Sequence, residues 1–252
     1  MEVVPQAVAR TRIEKNDPMK APRWQTIADS EYPWEREAIE WLMDRLPDGE
    51  PWHAWSNFEF IDDEGKVNEV DVLVLAPAGL FLVEIKSRPG TLRGDAHTWS
   101  WTNDGREYSY DNPVYLANRK AKRLASLLRK QPSFVKARER MPWVEPAIFL
   151  SAKDLKCHLD GPARAKTYLR GRPQHPEDDG IVAALHAISN AGAVTTQRVD
   201  TKQAKAIVRA MAEAGIRPSA KHRQVGDYRL GSLLAEGVNY QDWSAKHVSV
   251  ET

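Results

Sequence analysis

A chain of 252 residues with 42% hydrophobic content can bury a sizeable core, enough for one large domain or two small ones, and is globular rather than disordered. Lysine and arginine (36) nearly balance aspartate and glutamate (35), so no global basicity advertises a nucleic-acid partner and any such surface must arise from local clustering. The single Cys157 excludes an internal disulfide framework and a cysteine-rich zinc site. No apolar run approaches the ~20 residues that span a bilayer and the N-terminus has no apolar signal core, which predicts a cytoplasmic protein with no membrane partner.

Residues 1–30 mix proline, charge and small side chains without sustained periodicity and are expected to form an N-terminal arm. The pattern over 34–46 is helical, with Ala38, Ile39, Leu42 and Leu46 on one stripe and Pro47-Asp48-Gly49 as the stop. Glu35 lies at the centre of that stripe and Glu37 points nearly the opposite way. Residues 52–61 predict a strand, Asp62-Asp63-Glu64-Gly65 a turn, and 67–75 and 79–87 a strand pair. A third hairpin follows, in which Thr98-Trp99-Ser100-Trp101 and Glu107-Tyr108-Ser109-Tyr110 alternate around Asn103-Asp104-Gly105.

After Asn112-Pro113 a helix is predicted to about residue 130, with Ala117, Ala121, Leu124 and Leu128 inward and Arg119, Lys122 and Arg123 outward. Residues 144–151 then form a buried strand that closes an α/β unit. The stretch 161–180, rich in proline, glycine and charge, reads as a linker or irregular loop. It precedes two helices over 181–189 and 201–214, the second with Ala204, Ile207, Val208 and Met211 inward. From Asp227 the pattern is strand-like again.

The chemistry concentrates in 68–90, NEVDVLVLAPAGLFLVEIKSRPG, which sets Asp71 on one apolar strand and Glu84-Ile85-Lys86 on the next. Charges among Val, Leu, Ile and Phe must be paired, bind a cation or reach the surface. Leu82, Glu84 and Lys86 share one face of their strand, Glu69, Asp71 and Leu73 one face of theirs, and a hairpin of ordinary register brings Asp71 beside Glu84. Two hard anionic oxygens close together suit Mg²⁺ or Mn²⁺, with the carbonyl of Ile85 as a third ligand. An ion there polarises a phosphoryl oxygen and lowers the pKa of a bound water, which is what phosphodiester hydrolysis needs. Lys86 is expected to orient or deprotonate that water, and Glu35 to meet the ion directly or through water.

Together Asp71, Glu84-Ile85-Lys86, the helix bearing Glu35, the Trp-bearing hairpin and the Asn112-Pro113 helix entry resemble the NERD (nuclease-related) domain of the PD-(D/E)xK nuclease superfamily over about residues 31–152, within a domain expected to span 31–155. The resemblance implies a restriction-endonuclease-like mixed α/β sheet flanked by helices. It makes Asp71 and Glu84 metal ligands, Lys86 the catalytic lysine and Glu35 the helix acid. Many NERD domains carry a Gln a few residues after the Asn-Pro, where this chain reads Val114-Tyr115-Leu116-Ala117.

Residues 227–247, DYRLGSLLAEGVNYQDWSAKH, resemble the first strand, nucleotide loop and second strand of a serine/threonine protein kinase in which only Gly231 and Gly237 remain of the glycine loop. Following a NERD domain and a linker and helical connector over 156–225, they resemble the N-terminal part of the PglW-like kinases of phage growth limitation and BREX defence systems. No Val-Ala-x-Lys strand, His-Arg-Asp loop or Asp-Phe-Gly follows, so 226–252 are expected to be the start of a truncated kinase-like domain with no phosphotransfer of its own.

The resemblances imply a metal-dependent nuclease or nickase acting on DNA at the head of an antiphage kinase, with other defence-system proteins as partners. The alternative is a non-catalytic nucleic-acid- or protein-binding module that regulates the downstream kinase. The basic run that includes Arg119, Lys120, Lys122 and Arg123 could track a phosphate backbone or simply be a solvated helix face. Trp99, Trp101, Tyr108 and Tyr110 could stack on bases, though cross-strand packing is the commoner use of such a pattern. The seven histidines show no metal-ligand spacing.

Overall fold

The computed structural model describes residues 22–171, 180–186, 198–218, 223–225, 227–236 and 241–247. Its elements run β1 (Trp24–Thr26), α1 (Pro33–Met43), β2 (His53–Ile61), β3 (Val67–Ala76), β4 (Gly79–Lys86), β5 (Gly90–Gly94), β6 (Thr98–Asn103), β7 (Arg106–Asp111), α2 (Pro113–Arg129), α3 (Pro132–Ala137) and β8 (Val144–Leu150). There follow β9 (Leu155–Cys157), α4 (Gly161–Arg164), β10 (Thr167–Leu169), α5 (Ile181–His186), α6 (Thr201–Glu213), β11 (Arg217–Pro218), β12 (Arg223–Val225), β13 (Tyr228–Glu236) and β14 (Gln241–His247).

The main sheet has the order β1-β2-β3-β4-β8-β10, with β11 also on β2. It is mixed: β2, β3 and β4 are antiparallel neighbours, whereas β1 joins β2, β8 joins β4 and β10 joins β8 in parallel. Both faces are covered, which is why β3 and β8 read as nearly continuous apolar runs. Leu73, Leu75, Leu80, Leu82, Ile148 and Leu150 enter the core shared with α2, α3 and α6. The alternate residues Val72, Val74, Val83, Ile85, Ala147 and Phe149 enter the core shared with α1 and α5. The period of two thus sorts side chains into two layers, and it puts Glu84 on the face that α2 covers.

A second sheet, β7-β6-β5-β9, carries the Trp-bearing hairpin. Its loop is two residues long, because Asn103 pairs with Arg106, and Asp104 and Gly105 both have positive φ (49° and 73°), as a type I′ turn requires. Helix α2 starts where Asn112-Pro113 predicts: the Asn112 carboxamide oxygen accepts from the Val114 N–H at 3.0 Å, its Nδ2 donates to the Ala96 carbonyl at 3.0 Å, and Pro113 occupies the first turn. The strand-like text after Asp227 forms the three-stranded sheet β12-β13-β14; Gly231 lies within β13, while Gly237 falls outside the described residues.

Two expected boundaries differ. The arm predicted for 1–30 contributes β1, whose Trp24 indole donates to Ser56 Oγ at 3.1 Å; residues 1–21 lie outside the described residues. Within 156–225, expected as linker and helical connector, the described elements add to the sheet and its core. β10 extends the sheet beyond β8, and α6 buries Ala204, Ile207, Val208 and Met211 in the core of α2. Arg217 of β11 pairs with the buried Glu59 of β2 at 2.6 Å. The sequence obscures this because β10 and β11 are too short for a visible period. The end of the helix predicted over 181–189 lies outside the described residues.

If α6 is part of one cooperative unit with the sheet, Ile207→Ala lowers the unfolding free energy by about 2–5 kcal/mol in a urea titration followed by tryptophan fluorescence. A loss near zero, or a separate transition for α6, would show that the domain closes before this helix.

Candidate active site

Strands β3 and β4 keep ladder register only up to the pair Val72 and Val83. One step further, where Asp71 and Glu84 come opposite, the backbone ladder is replaced by a side chain: the Ile85 N–H donates to Asp71 Oδ2 at 2.7 Å. The strands therefore part just where the charged residues begin. Glu84 and Lys86, two apart and on one face, form an ion pair at 3.0 Å through Glu84 Oε1.

The other oxygen of Glu84 is held from across the layer. Lys120 of α2 donates to Glu84 Oε2 at 2.8 Å, and its side chain is only 7% exposed against 12% for Glu84 and 38% for Lys86. Lys120 shares the inward stripe of Ala117, Ala121, Leu124 and Leu128, so it belongs to the site and not to the solvated basic face. The sequence does carry this signal, as a lysine at the centre of an otherwise apolar helical stripe. It also stands in the helix where the resemblance to NERD domains leads one to expect a glutamine.

Glu35, in the first turn of α1, reaches the same charges from the opposite layer. Burial raises its pKa, a hydrogen bond from the Ser30 side chain opposes that, and the Glu84 carboxylate raises it further. Asp71 is raised well above the ordinary carboxylate range, first by burial and then by the charges of Glu84 and Glu35. Glu84 behaves oppositely: burial would raise it, but the ammonium groups of Lys120 and Lys86 outweigh that and bring it down to about 2. For both lysines burial is outweighed by Glu84 and Asp71, which raise their pKa and keep them cationic. Three carboxyl groups thus face two ammonium groups: the lysines keep Glu84 ionised, while Asp71 and Glu35 are pushed toward their protonated forms.

That donor set suits a hard cation. Among the described residues no group of three or more His, Cys, Asp or Glu is arranged to hold a metal ion. Mg²⁺, however, commonly takes only one or two carboxylates and completes its octahedron with water and substrate phosphate. Asp71 and Glu84 are two carboxylates of that kind, and both oxygens of Glu84 are held by lysines in this structure.

The expected nucleic-acid residues divide. Arg119 and Lys122 are exposed on α2. Arg123, expected outward, turns instead onto the β2–β3 turn, where it pairs with Asp62 at 3.0 Å and donates to Asn68 Oδ1 at 3.1 Å. The physical reason is the acidic turn itself, whose Asp62 also accepts from the N–H groups of Glu64 and Lys66 and needs a cation beside it.

Residues 30–151 match the family model of the nuclease-related domain, and over these residues the chain belongs to the NERD family. The chain is also 34% identical over 234 residues to the "Probable kinase PglW" of Streptomyces coelicolor, a match that takes in 91% of this chain but only 14% of that protein's length. No solved structure matches the chain significantly.

The opposed shifts of Asp71 and Glu84 have opposite consequences for stability. Glu84, lowered on folding, stabilises the fold above its ordinary range near pH 4.5, and that contribution is lost as pH falls toward about 2. Asp71, raised on folding, favours the fold at low pH and opposes it as pH climbs through the raised value. In EDTA at pH 7, Asp71→Asn, which retains an oxygen for the Ile85 N–H, should therefore raise the urea midpoint. Glu84→Gln should lower stability by about 3 kcal/mol, because Lys120 keeps a buried charge without its carboxylate. Equal midpoints for wild type and Asp71→Asn would show that burying the Asp71 carboxyl group costs no stability at this pH.

Proposed function

We propose that the NERD domain hydrolyses phosphodiester bonds of DNA, as a nuclease or nickase dependent on Mg²⁺ or Mn²⁺. The observation that supports this best is the gathering of Asp71, Glu84 and Lys86 where β3 and β4 part, with Glu35 facing them from α1, inside a domain of this family. Asp71, Glu84 and the Ile85 carbonyl would hold the cation, with Glu35 acting through water. The cation would supply phosphoryl polarisation and a more acidic bound water.

The protein's own groups have distinct tasks. Lys120 holds Glu84 ionised and aimed, since a carboxylate fixed at 2.8 Å by a buried ammonium cannot turn away or take up a proton near neutrality. Lys86, more than a third exposed and still an ammonium, orients the attacking water and screens the charge that develops on phosphorus. Arg119 and Lys122 lie on the exposed face of α2, suited to backbone phosphates. Arg123 is committed to Asp62 and braces the fold.

At the level of the whole protein, the similarity to a probable kinase supports a place at the head of an antiphage kinase, with β12 to β14 as the first strands of the kinase domain and other defence proteins as partners. No helix among the described residues is long and apolar enough to cross a membrane, and we place the protein in the cytoplasm. The second reading, a non-catalytic module that regulates the kinase, is favoured by one observation: both oxygens of Glu84 are already occupied by ammonium groups.

Supercoiled plasmid incubated with the 252-residue chain and Mg²⁺ or Mn²⁺ should be converted to nicked or linear DNA. Asp71→Ala, Glu84→Ala and Lys86→Ala should each reduce the rate by about a hundredfold or more. If wild type and all three variants leave the plasmid equally intact, the catalytic reading is wrong and the regulatory one stands. For DNA binding, Lys122→Ala should reduce the slope of log affinity against log salt by about 0.9 for each phosphate that the lysine neutralises. An unchanged slope would remove this face of α2 from the interface.

A further inference from the structure

The aromatic residues of the hairpin, which sequence alone leaves as one group, separate into two populations. Trp99 and Trp101 are buried in the core of α2, so cross-strand packing accounts for them. Their partners across the ladder, Tyr110 and Tyr108, are 39% and 42% exposed on β7, an edge strand exposed along its whole length. Packing does not account for these two rings. The guanidinium of Arg88 lies 4.9 Å from the Tyr108 ring centre and 5.3 Å from that of Tyr110, and it also donates to the Tyr110 hydroxyl.

A second aromatic pair stands at the start of α1. Tyr32 and Trp34 stack on each other at 5.2 Å, both exposed, with Trp34 at 57%, and they immediately precede Glu35. The Ser87 hydroxyl donates to the Trp34 carbonyl at 3.5 Å. The two residues that follow Lys86 therefore each touch an exposed aromatic residue, Ser87 one from α1 and Arg88 those of the hairpin. Chain reach alone keeps Arg88 Cα within about 7 Å of Lys86 Cα.

We infer that these rings form a stacking platform for unpaired nucleotides, so that the domain takes past Lys86 a single strand, including strands unpaired where a supercoiled plasmid is underwound, and not a fully paired duplex. This rests on the proposed hydrolysis of phosphodiesters and names its substrate class. Flat π-faces recognise bases only when these are unstacked, whereas a duplex offers its phosphates and groove edges. The charge around the platform favours the same choice. Arg88 is interleaved with the rings, but Glu31 and Glu40 are exposed beside and on α1, and Glu107 and Asp111 flank the tyrosines on β7, while Glu37 is paired with Lys153 and Arg170. A surface so mixed in sign cannot neutralise two phosphate strands, while one strand held by its bases needs only a few cationic contacts.

The test is binding by the 252-residue chain carrying Asp71→Asn, in EDTA, measured by fluorescence anisotropy. The probes are labelled oligothymidylate and oligouridylate of about 16 nucleotides and a duplex of equal length. Either single strand should bind at least about tenfold more tightly than the duplex. Tyr108→Ala, Tyr110→Ala and Trp34→Ala should each weaken single-strand binding by roughly five- to a hundredfold, and Tyr108→Phe and Tyr110→Phe, which keep the rings, should retain it. Unchanged thermal unfolding of the alanine variants separates this effect from misfolding. Equal or tighter binding to duplex, or alanine variants that bind as the parent does, would overturn the inference. Because cleavage plays no part in the measurement, a chain that binds single strands but never cuts would overturn the hydrolytic reading alone. A chain that cuts plasmid but shows no single-strand preference would overturn only the platform.

Discussion

One carboxylate organises this domain. Glu84 lies near the end of the central strand β4 and receives an ammonium on each oxygen, one from its own strand and one from α2 across the layer. A buried charge is tolerated only when paired, so the position of α2 against the sheet, the emergence of Lys120 from an apolar stripe and the parting of β3 from β4 are all tied to this group. Asp71 is its counterpart. The same burial that the lysines overcome at Glu84 is left uncompensated at Asp71, so Glu84 stays ionised while Asp71 is held toward its protonated form.

Much of this was legible in the sequence, and the reason is periodicity. The alternation on β3 and β4 placed Asp71 and Glu84 on one face, and the ladder register, carried one step past Val72 and Val83, brings them opposite each other. The N-cap Asn112 and the Asp-Gly turn were equally visible, because each depends on local geometry that only a few residue types satisfy. Elements held by partners distant in the chain were not visible. Strands β1, β10 and β11 have two or three residues each and exist through pairing with longer strands.

The two basic residues that sequence placed least well failed for opposite reasons. Lys120 lies on the apolar stripe, and a lysine there could as easily extend its stem to solvent; only the carboxylate waiting on β4 draws it inward. Arg123 lies at the margin of the same helix, and it is drawn onto Asp62 because that turn leaves a carboxylate in need of a donor. In both cases the deciding partner is more than thirty residues away, beyond the reach of helical spacing.

The short strand β11 carries a mechanical meaning. Arg217 and Pro218 are zipped to the edge of the main sheet and anchored by the buried Glu59, and the β12 strand begins only five residues later. Five residues reach at most about 18 Å, and the Gln241 side chain of β14 donates to the Val67 carbonyl of β3 at 3.3 Å. The segment from β11 to β14 thus engages the main sheet twice, at β2 through β11 and at β3 through Gln241, the second time on the strand that carries Asp71.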